Sequence, residues 1–200
     1  MIHALPGMGA DHRMYPSPWN SLPGFMAHDW PAYEGQQTIE ELAQTVCTQL
    51  SIQDGDTLIG SSLGSIVACE IVKLRGIQAL FLIGGATDQR DVNRLLAILH
   101  PLISVMPIDL LRFTAGSIPN DLARMFTTVE ASFMKAMCRA IFHWNGLGET
   151  DVRVFRIHGQ SDLIIPPPPK VDLLLDGGHL ISMTHALECV RYITANSSFV

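Results

Sequence analysis

The stretch that decides the fold is TLIGSSLGSIVACEIVKLR, residues 57–75. Its first four residues form a short apolar run that is bounded by turn residues, which is typical of a buried strand. The next segment has the composition of a helix and stops at Gly76, a residue that commonly follows the last helical position. We therefore predict a strand over Thr57–Gly60, a tight turn, and a helix over Leu63–Arg75.

The same alternation of short strands with helices continues on both sides and predicts a mostly parallel α/β sheet of about six strands flanked by helices. The other predicted strands are Ile2–Leu5, Phe25–Trp30, Ala79–Ile83, Val152–Ile157 and Val171–Leu175, and the other predicted helices are Thr38–Leu50 and Thr184–Ala195. Residues 90–144 lack the strand pattern. We predict that residues 1–200 form a single domain with a helical cap inserted at about 89–148.

Charge and hydropathy exclude several classes of protein. The net charge is −6 and no cluster of Lys and Arg is present, so we expect no nucleic-acid binding. The longest apolar segment, Leu95–Leu111, is interrupted by Pro101, Pro107 and Asp109, so we expect no membrane span. The N-terminus lacks the basic and apolar regions of a signal peptide, which favours a cytoplasmic protein.

The cysteines point the same way. Cys47, Cys69, Cys138 and Cys189 form no C-x-x-C pair and lie in apolar segments, so we predict buried free thiols and a reducing compartment. We expect neither a metal nor a cofactor.

Gly60-Ser61-Ser62-Leu63-Gly64 matches the pattern G-x-S-x-G, at the junction where a nucleophilic serine would stand on a strained turn. Glycines two residues away on each side avoid clashes there, and the following helix supplies free N–H groups. Ser62 is therefore the candidate nucleophile. The alternative is an ordinary glycine-rich turn between a strand and a helix.

A serine needs a base, and the base needs an acid. His179 follows a strand and the flexible pair Gly177-Gly178, so we predict that it is the general base. Asp162 follows the preceding strand and is the predicted acid. Asp88, which follows the strand before that, is the alternative acid, although it would also serve as the cap of a helix.

A tetrahedral intermediate needs two backbone N–H donors. Leu63, directly after the candidate nucleophile, offers one. The other is expected in the loop Pro6–Gly9, where glycines allow a ligand to approach the backbone. We predict Met8 as this donor and keep Gly7 as the alternative, while the loop could also be a simple turn.

Four motifs in this order resemble the α/β-hydrolase superfamily over nearly the whole chain. They are Leu5–Asp11 for the oxyanion loop, Gly60–Gly64 for the nucleophile elbow, His158–Asp162 for the acid loop and Gly177–His179 for the histidine loop. Two features depart from that family. Its first two strands are missing, and a proline-rich loop replaces the helix after Asp162, which would leave a face available for a homodimer.

The resemblance implies a serine hydrolase that cleaves a carboxylic ester or thioester of a small molecule. Apolar cap residues favour a mainly apolar substrate, and Met134, Met137 and Ile141 share one helical face that would bind it. That face would equally serve for packing against the sheet. Two other functions stay open: a carbon–carbon hydrolase or lyase that uses the same residues, and a non-catalytic ligand-binding protein on the same scaffold.

Overall fold

The computed structural model describes residues 1–91 and 130–197, and within them six strands form one sheet in which every neighbouring pair is parallel. The strands are β1 (Ile2–Leu5), β2 (Phe25–Ala27), β3 (Thr57–Ser61), β4 (Ala79–Ile83), β5 (Arg153–Gly159) and β6 (Leu173–Leu175). Their order across the sheet is β2-β1-β3-β4-β5-β6. The predicted six-stranded parallel sheet is confirmed, and its central strands carry the longest apolar runs, as burial on both faces requires.

Several strand boundaries differ from the predicted ones. β3 ends at Ser61 and not at Gly60, and β5 covers Arg153–Gly159 and not Val152–Ile157. β2 ends at Ala27 and not at Trp30, because the chain turns away after His28, whose N–H donates to the carbonyl of Ala4. β6 begins at Leu173 and not at Val171. Asp172 binds the backbone of Arg156 through both its N–H and its carboxylate, which starts the pairing of β5 with β6.

The α-helices whose two ends lie within the described residues are α1 (Ile39–Gln49), α2 (Leu63–Leu74), α3 (Ala131–Phe142), α4 (Ile181–Thr184) and α5 (Ala186–Asn196). Thr38 caps α1 by accepting the N–H of Glu41 at 3.1 Å. The predicted closing helix over Thr184–Ala195 is confirmed as α5, which begins two residues later than predicted. His185 has φ −128° and ψ 36°, outside the helical range, and separates α5 from the short α4, which the sequence did not predict.

The two faces of the sheet bury separate apolar cores. One core joins Leu58 and Leu82 of the sheet to α1, α2 and α3. The other joins Ile59 and Phe81 to α4, α5 and the turns around Trp19. Alternate residues of each strand enter opposite cores, so every central strand is covered on both sides.

The two edges of the sheet are short. β2 and β6 each have three residues, and their middle side chains, Met26 and Leu174, are exposed. The chain between β5 and β6 forms no helix, in accordance with the run Pro166–Pro169.

Most of the predicted cap at 89–148 lies outside the described residues, since only residues 89–91 and 130–148 of it are described. α3 belongs to this segment and packs on the first core. All four cysteines are free and buried, as predicted. Within residues 1–91 and 130–197, no helix has the length and apolar character that crossing a membrane requires.

Candidate active site

Ser62 stands at the junction of β3 and α2 in a strained backbone conformation, with φ 53° and ψ −117°. The left-handed region disfavours any residue with a side chain. Close backbone packing explains the flanking glycines. A Cβ on Gly60 would lie 2.5 Å from the carbonyl oxygen of Gly64, and a Cβ on Gly64 would overlap the carbonyl oxygen of Leu5. The turn therefore requires the glycines of the motif and holds Ser62, which is half-buried, at the N-terminus of α2.

Asp162 and His179 form a buried hydrogen-bonded pair. Asp162 Oδ2 lies 2.8 Å from His179 Nδ1, and the two residues are 3% and 5% exposed. The other carboxylate oxygen, Oδ1, accepts the N–H groups of Ile164 and Ile165 at 2.8 and 2.9 Å. Because an ionised carboxylate only accepts, this pattern places the imidazole proton on Nδ1. No hydrogen bond in the described residues uses His179 Nε2, so that nitrogen is available to accept a proton.

The end of β4 connects this pair to Ser62. The N–H of Ser62 donates to the carbonyl of Ile83 at 3.1 Å. The next residue, Gly84, has φ 53°, and a Cβ on it would lie 3.3 Å from both Asp162 Oδ2 and His179 Nδ1. Ser62, Asp162 and His179 therefore converge around one strand end. In the sequence, Gly84 is only the residue that follows the predicted strand Ala79–Ile83. Its contact with Asp162 and His179 depends on the assembled sheet.

Asp88, the alternative acid, is paired elsewhere. Its carboxylate accepts the guanidinium of Arg90 at 2.9 Å and the N–H of the same residue at 2.8 Å. These two bonds to Arg90 lower the pKa of Asp88 to about 2. The bond to the Arg90 N–H is that of a helix cap, which was the alternative role considered for Asp88.

The loop after β1 lies against Ser62. A Cβ on Gly7 would lie 3.4 Å from Ser62 Cβ. The N–H of Gly7 donates to Met14 Sδ at 3.2 Å, whereas no hydrogen bond in the described part of the chain uses the N–H of Met8 or of Leu63. Two free backbone donors therefore belong to segments that adjoin Ser62.

No protein-family model matches this chain, and no curated protein matches it. Solved structures do. A lipase-esterase related protein from Clostridium acetobutylicum superposes with a TM-score of 0.75 at 17% identity, covering 97% of this chain and 93% of that one. An enol-lactonase from Burkholderia xenovorans gives a TM-score of 0.73 at 18% identity, over 97% of this chain and 89% of that one. The chain has the α/β-hydrolase fold.

A third α/β-hydrolase, from Oleispira antarctica, gives a TM-score of 0.75 at 17% identity, over 98% of this chain and 91% of that one. At these identities the likeness shows the fold alone. The strands are parallel, so the loops that follow β1, β3, β5 and β6 all leave the sheet at the carboxyl ends of the strands. Ligands bind at this end of the sheet in folds of this kind.

The predicted substrate-binding face lies on α3 of this α/β-hydrolase fold. Met137 and Ile141 are buried in the first core, at 0% and 4% exposure, and Met134 is half-buried. Their packing accounts for the helical spacing, and their contact with a substrate stays a prediction.

His158 is the next-to-last residue of β5 and the first residue of the acid loop, and it is fully buried. Neither of its ring nitrogens has a hydrogen-bond partner in the described residues. Burial lowers the pKa of His158 to about 4, against the opposing charge of Asp162. The ring is therefore neutral at neutral pH, and it is an unpaired polar group directly beneath the acid loop.

Two cavities open on the described surface. One of about 270 Å³ adjoins the loop after β1 and is lined by the aromatic residues Trp30, Tyr33 and Phe133 together with Asp29 and Glu130, among others. A larger one, about 740 Å³, lies beside β5 and includes none of the three converging residues.

One group in the described residues has the composition of a metal site. Ligand atoms of Asp11, His12 and Asp29 lie within 4.8 Å of one another. They are already paired, because Asp11 binds Arg13 and His12 binds Asp29, and two of the three are exposed. These pairs satisfy the charges of the group without an ion.

Proposed function

We propose that this chain is a serine hydrolase that cleaves a carboxylic ester or thioester of a small, mainly apolar substrate through an acyl-enzyme. The observation that carries the proposal is the buried 2.8 Å bond between Asp162 and His179, which leaves Nε2 free next to the strand end that binds Ser62. The named relatives of the same fold act on bonds of this type: they include esterases, an enol-lactonase and a type II thioesterase from the borrelidin biosynthetic cluster.

In the first half of the reaction, His179 Nε2 takes the proton of the Ser62 hydroxyl as Oγ attacks the carbonyl carbon of the substrate. The carbonyl oxygen becomes negatively charged and accepts hydrogen bonds from the N–H groups of Met8 and Leu63. Asp162 stabilises the imidazolium that forms. The C–O or C–S bond then breaks, and Nε2 returns the proton to the departing alcohol or thiol.

In the second half, water attacks the acyl group on Ser62 and gives its proton to Nε2. The tetrahedral intermediate collapses, and Ser62 Oγ leaves with the proton from Nε2. The products are an acid and an alcohol or thiol. Every proton is carried by His179, and no group outside the described residues is needed for the balance.

The apolar character of the substrate depends on the residues of the cap. Much of the apolar cap on which it depends, including Leu95, Leu99, Leu102, Met106 and Phe126, lies outside the described residues. Met134 is the best probe of the face on α3, because the fully buried Met137 could not accept a larger side chain without overpacking the core.

The experiment is covalent labelling by a fluorophosphonate with peptide mapping, together with hydrolysis of a short p-nitrophenyl ester. We expect the label on Ser62, and no label or turnover in Ser62→Ala. Ser61→Ala is the matched control, because the Ser61 hydroxyl is buried without a partner and its loss should be neutral. A label on Ser61 or Ser65, or none, would contradict the assignment. Turnover without a trapped acyl-enzyme would favour the lyase function.

A further inference from the structure

One peptide group in the loop after β1 is fixed by two donors. The carbonyl of Gly7 accepts the N–H of Ala10 at 3.1 Å and the indole Nε1–H of Trp30 at 3.0 Å. The first bond closes a tight turn whose third residue, Gly9, has φ 76°, the value that a type II turn requires. The second comes from a segment beyond β2, so it is a tertiary contact.

The plane of this peptide determines where the N–H of Met8 points. A trans peptide is planar, and its C=O and N–H groups point in opposite directions. With the Gly7 carbonyl turned toward Trp30, the N–H of Met8 must point away from the indole. This N–H has no partner in the described residues, whereas the N–H of Gly7 is bound to Met14 Sδ.

The segment that contains the Gly7–Met8 peptide contacts Ser62. Gly7 approaches Ser62 so closely that a Cβ atom on it would be 3.4 Å from Ser62 Cβ. The N–H of Met8 belongs to the next residue along the chain, so it lies on the segment that contacts Ser62. Its orientation, and not its presence, decides whether it can donate to the oxygen that develops charge in a Ser62 adduct, because hydrogen bonds weaken steeply as they bend.

We propose that Trp30 is a positioning residue of the oxyanion hole: its indole N–H fixes the Gly7–Met8 peptide so that the Met8 N–H points at the negatively charged oxygen. This inference rests on the proposed function. The donation to the Gly7 carbonyl also polarises the peptide and strengthens its N–H as a donor. Trp30 acts through the peptide and is not itself required to touch the reacting atoms.

α3 contacts both Trp30 and Met8. The ring of Phe133 packs against Trp30 with ring centres 5.8 Å apart. Cys138 Sγ lies 3.7 Å from Met8 Sδ. Both contacts come from one helix, so α3 holds the indole and the Met8 side chain at a fixed separation. The position of the donor is thus set by residues from three separate parts of the sequence.

The variant Trp30→Phe removes the indole N–H and keeps an aromatic ring against Phe133. We expect kcat for a p-nitrophenyl ester to fall on the order of tenfold, less than the loss of a whole oxyanion donor, with KM unchanged. Affinity for an aryl boronate, whose adduct with serine carries a negatively charged oxygen, should fall by about the same factor. A substrate analogue that cannot form the adduct should bind as before.

Trp144→Phe is the matched control. It also removes an indole hydrogen bond, from Nε1 to Glu70 at 2.6 Å, and Trp144 is only 1% exposed, so its loss should destabilise the fold at least as much. We expect its kcat to stay near that of the parent. A second variant replaces Trp30 with benzothienylalanine, which keeps the shape of tryptophan without the N–H, and serves if the Phe variant fails to fold.

Equal kcat in the parent and in a folded Trp30 variant overturns the proposal while leaving the proposed function intact. So does a loss confined to KM, or one that Trp144→Phe reproduces. If the parent itself neither hydrolyses the ester nor is labelled on Ser62, the proposed function fails and this inference fails with it. A loss of kcat and of boronate affinity in both Trp30 variants, absent in the control, supports it.

Discussion

Asp162 and Asp88 stand at equivalent places in the fold, each in the loop that follows a central parallel strand. Their surroundings differ completely. Asp162 is 3% exposed and its two oxygens bind His179 and the N–H groups of Ile164 and Ile165. The side chain of Asp88 is 43% exposed and binds Arg90, two residues away.

The position after a strand makes both aspartates candidates for the acid that supports the base. The hydrogen bonds within each loop determine which of the two can bind His179. An aspartate followed two residues later by an arginine in a helical turn is satisfied by its own neighbours. An aspartate whose loop folds back over it, as in 162–165, is held in one orientation with an oxygen left for a distant partner. The four predictions below test this difference, from the largest expected effect to the smallest.

Asp162→Asn should reduce ester turnover on the order of 10⁴-fold, because the imidazole would lose both its tautomer and its counter-charge. Asp88→Asn should change turnover by less than about twofold. The measurement is kcat/KM for a p-nitrophenyl ester, on variants shown to fold by circular dichroism. If Asp88→Asn shows the large loss of turnover and Asp162→Asn the small one, the acid is Asp88, in the loop that follows β4.

His158 makes the neighbourhood of Asp162 sensitive to acid. Its pKa is about 4 in the folded chain and about 6.5 in a free imidazole, so protons bind the unfolded chain first. Through this ring, the free energy of unfolding should fall on the order of 3 kcal/mol as the pH drops from about 6.5 to about 4, and His28, whose pKa burial also lowers to about 4, adds to the fall. Asp88 contributes mainly below about pH 4, where its carboxylate is protonated in the unfolded chain and, with a pKa of about 2, stays ionised in the folded one.

His158→Leu tests this by urea unfolding at several pH values. At neutral pH we expect an unchanged or higher stability, because an unpaired buried ring is replaced by an apolar group. Between about pH 6.5 and 4, the variant should lose less stability than the parent. His143→Leu, at an exposed position, is the control and should keep the parent's pH dependence. Identical slopes in His158→Leu and the parent would show that this ring does not cause the effect.

Gly84→Ala should disturb the pair of Asp162 and His179 directly. Its Cβ would lie 3.3 Å from an atom of each, at a residue with φ 53°. We expect turnover to fall on the order of tenfold through displacement of the pair. Gly148→Ala is the control, since Gly148 has φ 73° and open space around it. The control should lose comparable stability from backbone strain with no specific loss of turnover; a similar loss of turnover in both would point to strain alone.

Asp88→Ala should have the smallest effect. The substitution removes a helix cap and an exposed ion pair with Arg90. We expect the melting temperature to fall by about 2–4 °C at most, with normal ester turnover. Asp88→Asn, which keeps a capping side chain, should be closer to the parent. A larger loss of turnover than of stability would mean that this loop supports the site in a way its contacts do not explain.

The parts of the site that were predictable from the sequence are those with local causes. The turn at Ser62 requires glycines at fixed spacing, and Gly60 and Gly64 therefore appear in the sequence as a motif. The bond of Thr38 to Glu41 at the start of α1 is equally local. Such features depend on residues within a few positions of each other, so the pattern carries them.

The remaining features depend on contacts between distant segments. The indole bond of Trp30 to Gly7 spans 23 positions. The pairing of His3 with His28 and Asp56 beneath β1 joins three separate segments and has no motif. The break between α4 and α5 at His185 follows from the backbone angles of that residue, and neither a capping residue nor a proline predicts it. The predicted end of β2 at Trp30 was wrong because the chain turns away after His28, whose N–H donates to the carbonyl of Ala4.

The two three-residue edge strands also bear on how copies of the chain meet. A sheet grows by adding a strand to an edge that presents a long row of unpaired N–H and C=O groups. β2 and β6 present only a few, and prolines stand near each of them, at Pro23, Pro31 and Pro166–Pro169. Proline offers no donor, so these prolines limit how far such a row could continue beyond each strand. The short edge strands β2 and β6 therefore disfavour the edge-to-edge pairing of copies that produces fibrils. The exposed apolar side chains at these edges, Met26 and Leu174, are too few to start such pairing.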